Sequence, residues 1–277
     1  MCGGQPEAAR FHAERDWEVR RCAACTYGWV VDLANAPAGS AFEWSEDIVR
    51  ESQKRTHMYE DRLHRIEQFA PKPKAWLDVG CGGGGMLKCV ADAGYAAEGI
   101  ELSPSAETIT RWFGIPVHRL PLTDARPQLL REKYGIVSYF HVLEHVFDPA
   151  AELRTARSLI DQSGLLVVEV PCFDSFPWKV LGTKHRHFYR GHRSYFNPRS
   201  LRTLLEATGF SVLHSLTVPY QMTLDWLLQR LGPLGAPIRR TLPARFADTV
   251  ISINTGEYLF MVARPSDNHT EFKFLRT

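Results

Sequence analysis

The feature that most constrains this chain is an apolar run, Ala75 to Val79, that breaks into glycines and resumes as a helical pattern at Met86. Four consecutive glycines at 82–85 let the backbone turn without Cβ clashes and let a ligand approach the main chain. The helix behind them offers unpaired backbone N–H groups. The pattern therefore predicts a strand, a tight loop and a helix that together bind a nucleotide-like ligand.

Glycine spacing alone does not identify that ligand. Gly80 and Gly82 begin both a dinucleotide pattern, completed by Gly85, and a shorter pattern that ends at Gly84. Asp78, two residues before the first glycine, discriminates between the two. A carboxylate there would repel the pyrophosphate of NAD, whereas it suits the cationic α-ammonium of S-adenosylmethionine (SAM). We therefore expect SAM at this loop.

A second short strand, Ala97–Ile100, ends in another acid, Glu101. In doubly wound folds an acid at this position accepts hydrogen bonds from the ribose hydroxyls. A third strand, Ile115–His118, brings the backbone near Leu120 to a place where it could line the adenine. The predicted cofactor site thus extends along the carboxyl edge of a parallel sheet.

Four stretches of the chain resemble class I SAM-dependent methyltransferases, in particular small-molecule enzymes of the ubiquinone, antibiotic and sugar pathways. In the order in which that family has them, they are Leu77–Gly84, Gly99–Pro104, His141–Pro149 and Gly164–Pro171. The resemblance covers about residues 45 to 265. It implies an α/β fold with a doubly wound, seven-stranded Rossmann-like sheet. Its last two strands, Phe210–Leu216 and Glu257–Ala263, would form the antiparallel edge pair that distinguishes this sheet from the dinucleotide-binding one.

An amphipathic helical pattern over residues 45–70 is expected to lie over the mouth of the cofactor site. In the resembled family such a segment often closes on the ligand, so Tyr59 or Arg62 is expected to touch the carboxylate end of the cofactor. Packing on the helix surface is the alternative for both side chains. The predicted cofactor contacts are Tyr59, Asp78, Gly80, Cys81, Gly82, Glu101, Leu102, Leu120, Phe140 and His141.

The fourth parallel strand delivers His141, Glu144 and His145 to the edge of the sheet where open α/β folds bind ligands. His141 is the first candidate for contact with cofactor or acceptor, and His141 or His145 could take a proton near neutral pH. On one helical turn all three residues would share a face and could hold a divalent metal. Related ubiquinone-pathway enzymes have a Glu-x-x-Glu-His version of this stretch that can bind metal. The alternative is that Glu144 and His145 only hydrogen-bond the fold.

Aromatic and basic residues alternate over residues 184–196, beyond the fifth strand. Such a segment can stack on a ring and hold an anion, so we expect it to bind the methyl acceptor. An acidic or phosphorylated acceptor would suit its charges, for example a nucleotide-linked sugar or a compound on a phosphopantetheine carrier protein. His187 or Tyr189 could serve as the general base instead of His141. The alternative is a solvated basic loop with anchoring aromatics.

The first forty residues differ from the rest and contain a Cys-x-x-Cys pair, Cys22 and Cys25, followed by an apolar strand. Two thiolates at the tip of a turn are typical of one half of a zinc ribbon. Cys2 and His12 would have to complete the tetrahedron. The alternative is a metal-free hairpin of the same shape.

Length, charge and the lengths of apolar runs limit the size, the partners and the location that we expect for this protein. A chain of 277 residues suffices for one substantial core and a small extra module. A net charge of +2 does not indicate nucleic acid as a partner. No run approaches the roughly 18 to 20 apolar residues of a membrane-spanning helix, and no apolar signal region begins the chain. We therefore expect a cytoplasmic protein with reduced thiols.

The predicted organisation is a zinc-ribbon-like module over residues 1–40, a SAM-dependent methyltransferase domain over 41–265 and a polar tail over 266–277. A helical insertion at about 218–248 would serve as a lid, form a homodimer contact or touch a membrane surface. The predicted function is methyl transfer to a small molecule, with O-methylation first because histidines are available to take a hydroxyl proton. N- or C-methylation, an NAD-dependent oxidoreductase and a non-catalytic SAM-binding protein are the alternatives.

Overall fold

The computed structural model describes residues 8–13, 17–32, 46–69, 75–125, 128–247 and 249–266. In this part of the chain the strands are β1 (Ala8–Ala13), β2 (Trp17–Cys22), β3 (Gly28–Asp32), β4 (Ala75–Val79), β5 (Ala96–Ile100), β6 (Val117–His118), β7 (Tyr134–Phe140), β8 (Ile160–Pro171), β9 (Ser194–Tyr195), β10 (Phe210–Thr223) and β11 (Val250–Pro265). The α-helices are α1 (Glu46–Gln53), α2 (Thr56–Glu67), α3 (Gly85–Asp92), α4 (Ser105–Phe113), α5 (Leu122–Ala125), α6 (Pro149–Leu159), α7 (Phe176–Leu181), α8 (Pro198–Ala207), α9 (Leu224–Arg230), α10 (Ala236–Thr241) and α11 (Ala244–Ala247).

The larger of two sheets has seven strands in the order β10, β11, β8, β7, β4, β5, β6. Strands β4 to β8 run parallel to one another, and β11 is antiparallel to both of its neighbours. The strand order reverses between β4 and β7, which is where open α/β sheets bind ligands. The predicted seven-stranded sheet and its antiparallel edge are confirmed.

The centre of this sheet is apolar and buried because helices cover both of its faces. Strand β7 is buried from Tyr134 to Tyr139, and β8 is buried from Gly164 to Pro171. Helix α6 begins after β7 because Asp148 accepts hydrogen bonds from the first free backbone N–H groups and Pro149 fits the first turn. These caps fix the exit of the chain beside the carboxyl ends of β7 and β8.

The antiparallel edge pair is longer than the sequence predicts. Strands β10 and β11 pair from Phe210 opposite Pro265 to Thr223 opposite Val250. Pro219 lies within β10, where an irregularity of register between residues 218 and 220 accommodates a residue that has no N–H to donate. The helical insertion therefore begins at Leu224, after the strand, and not near residue 218.

The smaller sheet has four antiparallel strands in the order β1, β2, β3, β9. Its fourth strand is Ser194–Tyr195, which belongs to the basic and aromatic segment after β8. The amino-terminal strands are thus paired with the segment predicted to bind the acceptor. Sequence patterns do not reveal this pairing, because β9 is two residues long and lies far along the chain from β3.

Cys22 and Cys25 lie buried at the turn between β2 and β3, in the main core with Tyr27 and Phe196. Cys2 and the side chain of His12 lie outside the described residues. The zinc site therefore stays a prediction. No helix within the described ranges is long and apolar enough to cross a bilayer.

Candidate active site

The glycine loop between β4 and α3 is shaped by positive backbone φ angles and by close packing. Gly80, Gly82 and Gly84 have φ angles of 68°, 56° and 73°. The N–H groups of Gly80 and Cys81 both donate to the carbonyl of Ile100, at 2.7 and 3.0 Å. A Cβ on Gly80 would lie 2.5 Å from Cγ2 of Val142, next to His141. Glycine is therefore required where the loop meets the end of β7.

Helices α1 and α2 cover this loop, as the amphipathic pattern predicts. The Ser52 hydroxyl donates to the carbonyl of Gly83 at 2.6 Å. The Tyr59 ring lies so close to the start of α3 that a Cβ on Gly85 would be 2.2 Å from its Cε2. Burial, with the charge of Asp78 among the smaller causes, raises the pKa of Tyr59 to about 12. Tyr59 is thus a neutral wall beside the acidic end of β4.

The two predicted cofactor acids differ in their surroundings. Asp78 is buried, accepts a hydrogen bond from the Ser138 hydroxyl at 2.6 Å and forms no ion pair with a described residue. Burial, with the charge of Glu101 adding to it, raises the pKa of Asp78 to about 7. Glu101 accepts from the backbone N–H groups of Gly82 and Ser103, both at 2.8 Å. Glu101 thereby ties the end of β5 to the glycine loop, whereas Asp78 has a charge that the fold leaves uncompensated.

Arg62 forms a buried ion pair with Glu169. Its Nε donates to Oε2 of Glu169 at 2.7 Å, and both side chains are at most 3% exposed. A second guanidinium nitrogen donates to the carbonyl of Pro219 at 2.9 Å. Arg62 therefore joins α2 to β8 and β10, which is the packing role that the sequence left as the alternative.

His141 stands at the end of β7 in a left-handed backbone conformation, with φ of 58°. Its Nε2 donates to Glu169 at 3.1 Å, and its Nδ1 lies 3.7 Å from Glu144. Although burial opposes protonation, these two carboxylates raise the pKa of His141 to about 9. The same contacts hold the pKa values of both carboxyls below their usual range against the effect of burial. His141 is therefore a cation at neutral pH, held between two carboxylates.

Glu144, His145 and His192 form a cluster in which one ligand atom of each lies within 4.8 Å of the others. Glu144 and His145 belong to a short 3-10 turn, whereas His192 comes from the segment after β8. His145 donates from Nδ1 to the carbonyl of Gly191 at 2.9 Å. Oε2 of Glu144 and Nδ1 of His192 are buried and have no hydrogen-bond partner in the described part of the chain. The structure thus replaces His141 with His192 in the predicted metal-binding set.

Two other histidines of the segment differ in their exposure and contacts. Nε2 of His185 and Nε of Arg186 share one oxygen of Glu257, at 3.1 and 3.0 Å. Burial and the charge of Arg186 depress the pKa of His187 strongly, so that its ring is neutral. That ring stacks on His192 with 5.7 Å between centroids. Burial likewise lowers the pKa of His192, to about 4.

The aromatic side chains of the segment close one wall of the cleft. The Tyr189 ring lies 4.4 Å from His192 between centroids, and burial raises the pKa of Tyr189 to about 12. Tyr258 of β11 contacts His141 edge-on at 4.9 Å and His187 at 5.9 Å. Neutral imidazole and phenol rings therefore pack around one imidazolium.

The remaining predicted contacts vary in exposure. Leu102 is 62% exposed beside Glu101, and Leu120 packs on the main core. Phe140 and Tyr59 both pack against a second buried apolar cluster, which contains Trp76 and Phe260. Burial raises the pKa of Cys81 well above its ordinary value, so its thiol is not a reactive one.

Sequence reasoning missed four residues that build the site. They are Asp32, Glu169, His192 and Glu257. Glu169 lies in the quoted Gly164–Pro171 stretch and His192 in the basic segment, so residue type could have raised both as candidates. Asp32 and Glu257 carry no signal in the sequence, because only tertiary contacts bring them to this edge.

A seven-stranded sheet with this strand order and an antiparallel edge, a glycine loop at its switch point, an acid near the end of β4 and another directly after β5 define a class I SAM-dependent methyltransferase enzyme. A family model described as a methyltransferase domain matches residues 51–215, and the chain belongs to that family.

Similar proteins include ubiquinone biosynthesis O-methyltransferases. That of Hydrogenovibrio crunogenus is 34% identical over 109 residues, which are 37% of this chain and 45% of that protein. That of a Methylobacterium species is 27% identical over 173 residues, 57% of this chain and 70% of that protein. The match thus spans less than half of the first relative. A SAM-dependent methyltransferase from Archaeoglobus fulgidus has a similar fold, with a TM-score of 0.52 at 18% identity over 78% of this chain and 98% of that one.

Proposed function

We propose that this enzyme transfers the SAM methyl group to a hydroxyl oxygen of a small, planar acceptor bound between β7, β8 and residues 185–195. SAM, when bound, supplies an electrophilic methyl on a sulfonium. The chain's part is to bind and orient the acceptor, exclude water and take its proton.

The residues of the glycine loop fit that cofactor. Asp78 is a buried carboxylate without a cationic partner in the described ranges, and its raised pKa is the sign of an uncompensated charge. An α-ammonium group beside it would stabilise the ionised form. The backbone of the glycine loop and the carboxylate of Glu101, which accepts from the N–H of Gly82, are the other groups that would hold the cofactor.

The acceptor need not be an anion, because the three arginines of the segment are paired with carboxylates of the protein itself. Arg186 contacts Glu257 at 3.0 Å, and Arg190 and Arg193 both contact Asp32. The arginine charges that suggested an acidic, phosphorylated or carrier-bound acceptor are therefore already balanced within the protein. The aromatic lining favours a flat hydroxyl compound such as a phenol.

A buried neutral imidazole, His192, carries this proposal. Its Nδ1 has no hydrogen-bond partner within the described residues, and the Glu144 carboxylate beside it would stabilise the imidazolium that forms when it takes the acceptor proton. His141 is unsuited to that role because it is already protonated at neutral pH. We assign His141 to stabilising, through its positive charge, the negative charge that develops on the acceptor oxygen.

His145, His187 and Tyr189 complete the set of predicted catalytic residues with lesser roles. The Nδ1–H of His145 already donates a hydrogen bond to the carbonyl of Gly191. His187 has the more strongly depressed pKa and is the weaker base. With its raised pKa, Tyr189 stays a phenol at neutral pH and serves as a wall of the acceptor site.

The experiment has two arms. Calorimetry with S-adenosylhomocysteine and, separately, NAD tests the cofactor, and NAD binding alone would overturn the proposal.

Transfer of labelled methyl from SAM to catechol, a sugar phosphate and an aromatic amine tests the acceptor atom. His192→Gln is expected to lower kcat with catechol by about 100-fold or more. His214→Gln, a matched change on β10 beside Phe69, should have no effect. Methylation of the amine alone would contradict O-methylation, and cofactor binding without any transfer would favour a non-catalytic protein.

A divalent cation on Glu144, His145 and His192 is the alternative to a protein base. Such an ion would bind the acceptor hydroxyl and lower its pKa. Treatment with a chelator separates the two. Unchanged turnover with catechol supports the base, whereas loss of turnover that Mg²⁺ or Zn²⁺ restores supports the metal. Metal analysis of the same protein and of Cys22→Ser tests the zinc prediction for the amino-terminal module.

A further inference from the structure

The segment that carries Tyr189 and His192 has little regular structure of its own. Between the 3-10 turn Gly182–Lys184 and strand β9, the backbone forms turns and bends only. Its internal hydrogen bonds include that from the N–H of His192 to the carbonyl of Tyr189, at 3.0 Å. Something outside the segment must therefore fix the positions of its side chains.

The amino-terminal sheet supplies that support. Strand β3 pairs with β9 through Gly28 opposite Tyr195 and Trp29 opposite Ser194. The N–H of Val30 also donates to the carbonyl of the residue before β9, at 3.0 Å. These bonds hold the carboxyl end of the segment, but they leave residues 189–192 to be fixed by side chains.

Asp32, the last residue of β3, reaches those residues. Its Oδ1 accepts from Nε and Nη2 of Arg190, at 3.1 and 3.0 Å, and its Oδ2 contacts Nη1 of Arg193 at 2.8 Å. All three side chains are partly buried, with Asp32 27% exposed. Two guanidinium groups on one carboxylate constrain both its oxygens, which adds geometric precision as well as attraction.

The two arginines flank the residues that face the cleft. Gly191 accepts from His145, and the buried His192 ring packs 4.7 Å from the His145 ring. A Cβ on Gly191 would lie 2.4 Å from the Tyr189 ring, so the turn is tightly packed. Arg193 also lies over the Phe147 ring at 4.5 Å, close in sequence to His145. A shift of either arginine would be transmitted to His192 and His145.

We propose that Asp32 is a positioning residue for the methyl-acceptor site, acting through Arg190 and Arg193 to hold Tyr189 and His192 against Glu144 and His145. The inference rests on the proposed function for its meaning, because the segment is an acceptor site only if the enzyme transfers methyl groups there. On this view the amino-terminal module supports the geometry of the active site, whether or not it binds a metal. Asp32 touches no acceptor itself.

The test compares Asp32→Asn and Asp32→Glu with Asp225→Asn in the full chain. Asp225 also accepts two bonds from one arginine, Arg239, but lies in the helical insertion away from the cleft. Amide hydrogen exchange of residues 189–193 is expected to be at least about tenfold faster in Asp32→Asn. It should be intermediate in Asp32→Glu, because the longer carboxylate keeps the charge, and unchanged in Asp225→Asn.

A spectroscopic signature separates positioning from general support. At one fixed pH, the Nδ1–H signal of His145, which reports the bond to Gly191, should move in Asp32→Asn and return towards its original position in Asp32→Glu. Affinity for S-adenosylhomocysteine and exchange in the glycine loop should change less than about twofold. An unchanged His145 signal, or exchange that rises equally in the glycine loop and the amino-terminal sheet, would overturn the proposal. Failure of the unaltered chain to bind S-adenosylhomocysteine would instead overturn the proposed function, while the exchange and His145 data still decide the role of Asp32.

Discussion

The proposed cofactor side and the proposed acceptor side of the site are built in different ways. The cofactor side, the glycine loop with Asp78 and Glu101, comes from two nearby stretches and is held by backbone hydrogen bonds. The acceptor side draws side chains from β3, β7, β8, β11 and residues 185–195, and charged or aromatic contacts hold it together. Local geometry thus forms the first, and tertiary contacts form the second.

This difference matters because Glu169 links the two sides. It accepts from Arg62, on a helix that covers the glycine loop, and from His141, which we assign to the proposed acceptor site. A site built from backbone groups tolerates few changes in the glycines that shape its loop. The geometry of a site built from paired charges depends instead on each member of a pair. Four substitutions test that contrast, from the largest expected effect to the smallest.

Arg62→Met is expected to destabilise the fold the most. It would leave the buried Glu169 with a weakened set of partners, and breaking a buried ion pair costs about 3–5 kcal/mol. Urea unfolding measures the loss. Arg65→Met, on the same helix with a partly exposed bond to Asp61, should cost less than about 1 kcal/mol. Equal losses in the two variants would mean that Glu169 is not the link between the two sides.

Gly80→Ala is expected to weaken S-adenosylhomocysteine binding by about 100-fold, or about 2.7 kcal/mol. The added Cβ would lie 2.5 Å from Val142 and force the loop or β7 to shift. Gly94→Ala is the matched control, since Gly94 also has a positive φ, 89°, but has nothing within 4 Å of an added Cβ. That control should lose only the roughly 1–2 kcal/mol of backbone strain in stability. Normal calorimetric affinity of Gly80→Ala would refute a backbone-built cofactor side.

Asp78→Asn tests the uncompensated charge through pH. A cationic ligand favours ionised Asp78, so below its pKa of about 7 binding must release a proton. The affinity for S-adenosylhomocysteine should therefore fall by up to about tenfold for each pH unit below 7, and Asp78→Asn should remove this slope. Asp92→Asn, an exposed change at the end of α3, should keep it. A flat profile in the unaltered protein would separate Asp78 from the ligand's charge.

His141→Gln is expected to have the smallest effect, visible as a pH dependence of stability. The pKa of His141 is raised from 6.5 to about 9 in the folded protein, so its contribution is complete below about pH 6.5 and is lost as the pH rises through 9. The difference in urea midpoint between the unaltered chain and His141→Gln should shrink between about pH 6 and pH 10. A constant difference would contradict a protonated His141.

Much of the cofactor side was predictable from the sequence because its information is local. One β-α-β unit contains Asp78, Glu101 and the glycines at 80, 82 and 84. The hydrophobic periodicity and the residue types of that unit suffice to predict its elements and the acids at their ends. Strand β10 extends beyond its predicted end at Leu216, because an irregularity of register at Pro219 lets the pairing with β11 continue to Thr223. The acceptor side was predicted only as a segment, and the sequence did not reveal that its arginines pair with carboxylates of the fold.

The sequence by itself determined the parallel sheet, the glycine loop and the acids that a cationic nucleotide requires, since these follow from apolar runs, glycine geometry and spacing. Only the tertiary structure decided which histidine is charged and which is neutral, because pKa values depend on burial and on partners distant in the chain. It also decided that Asp32 meets Arg190 and Arg193. Pairing across more than 150 residues leaves no periodic trace in a sequence, and so it can be read only from the folded chain.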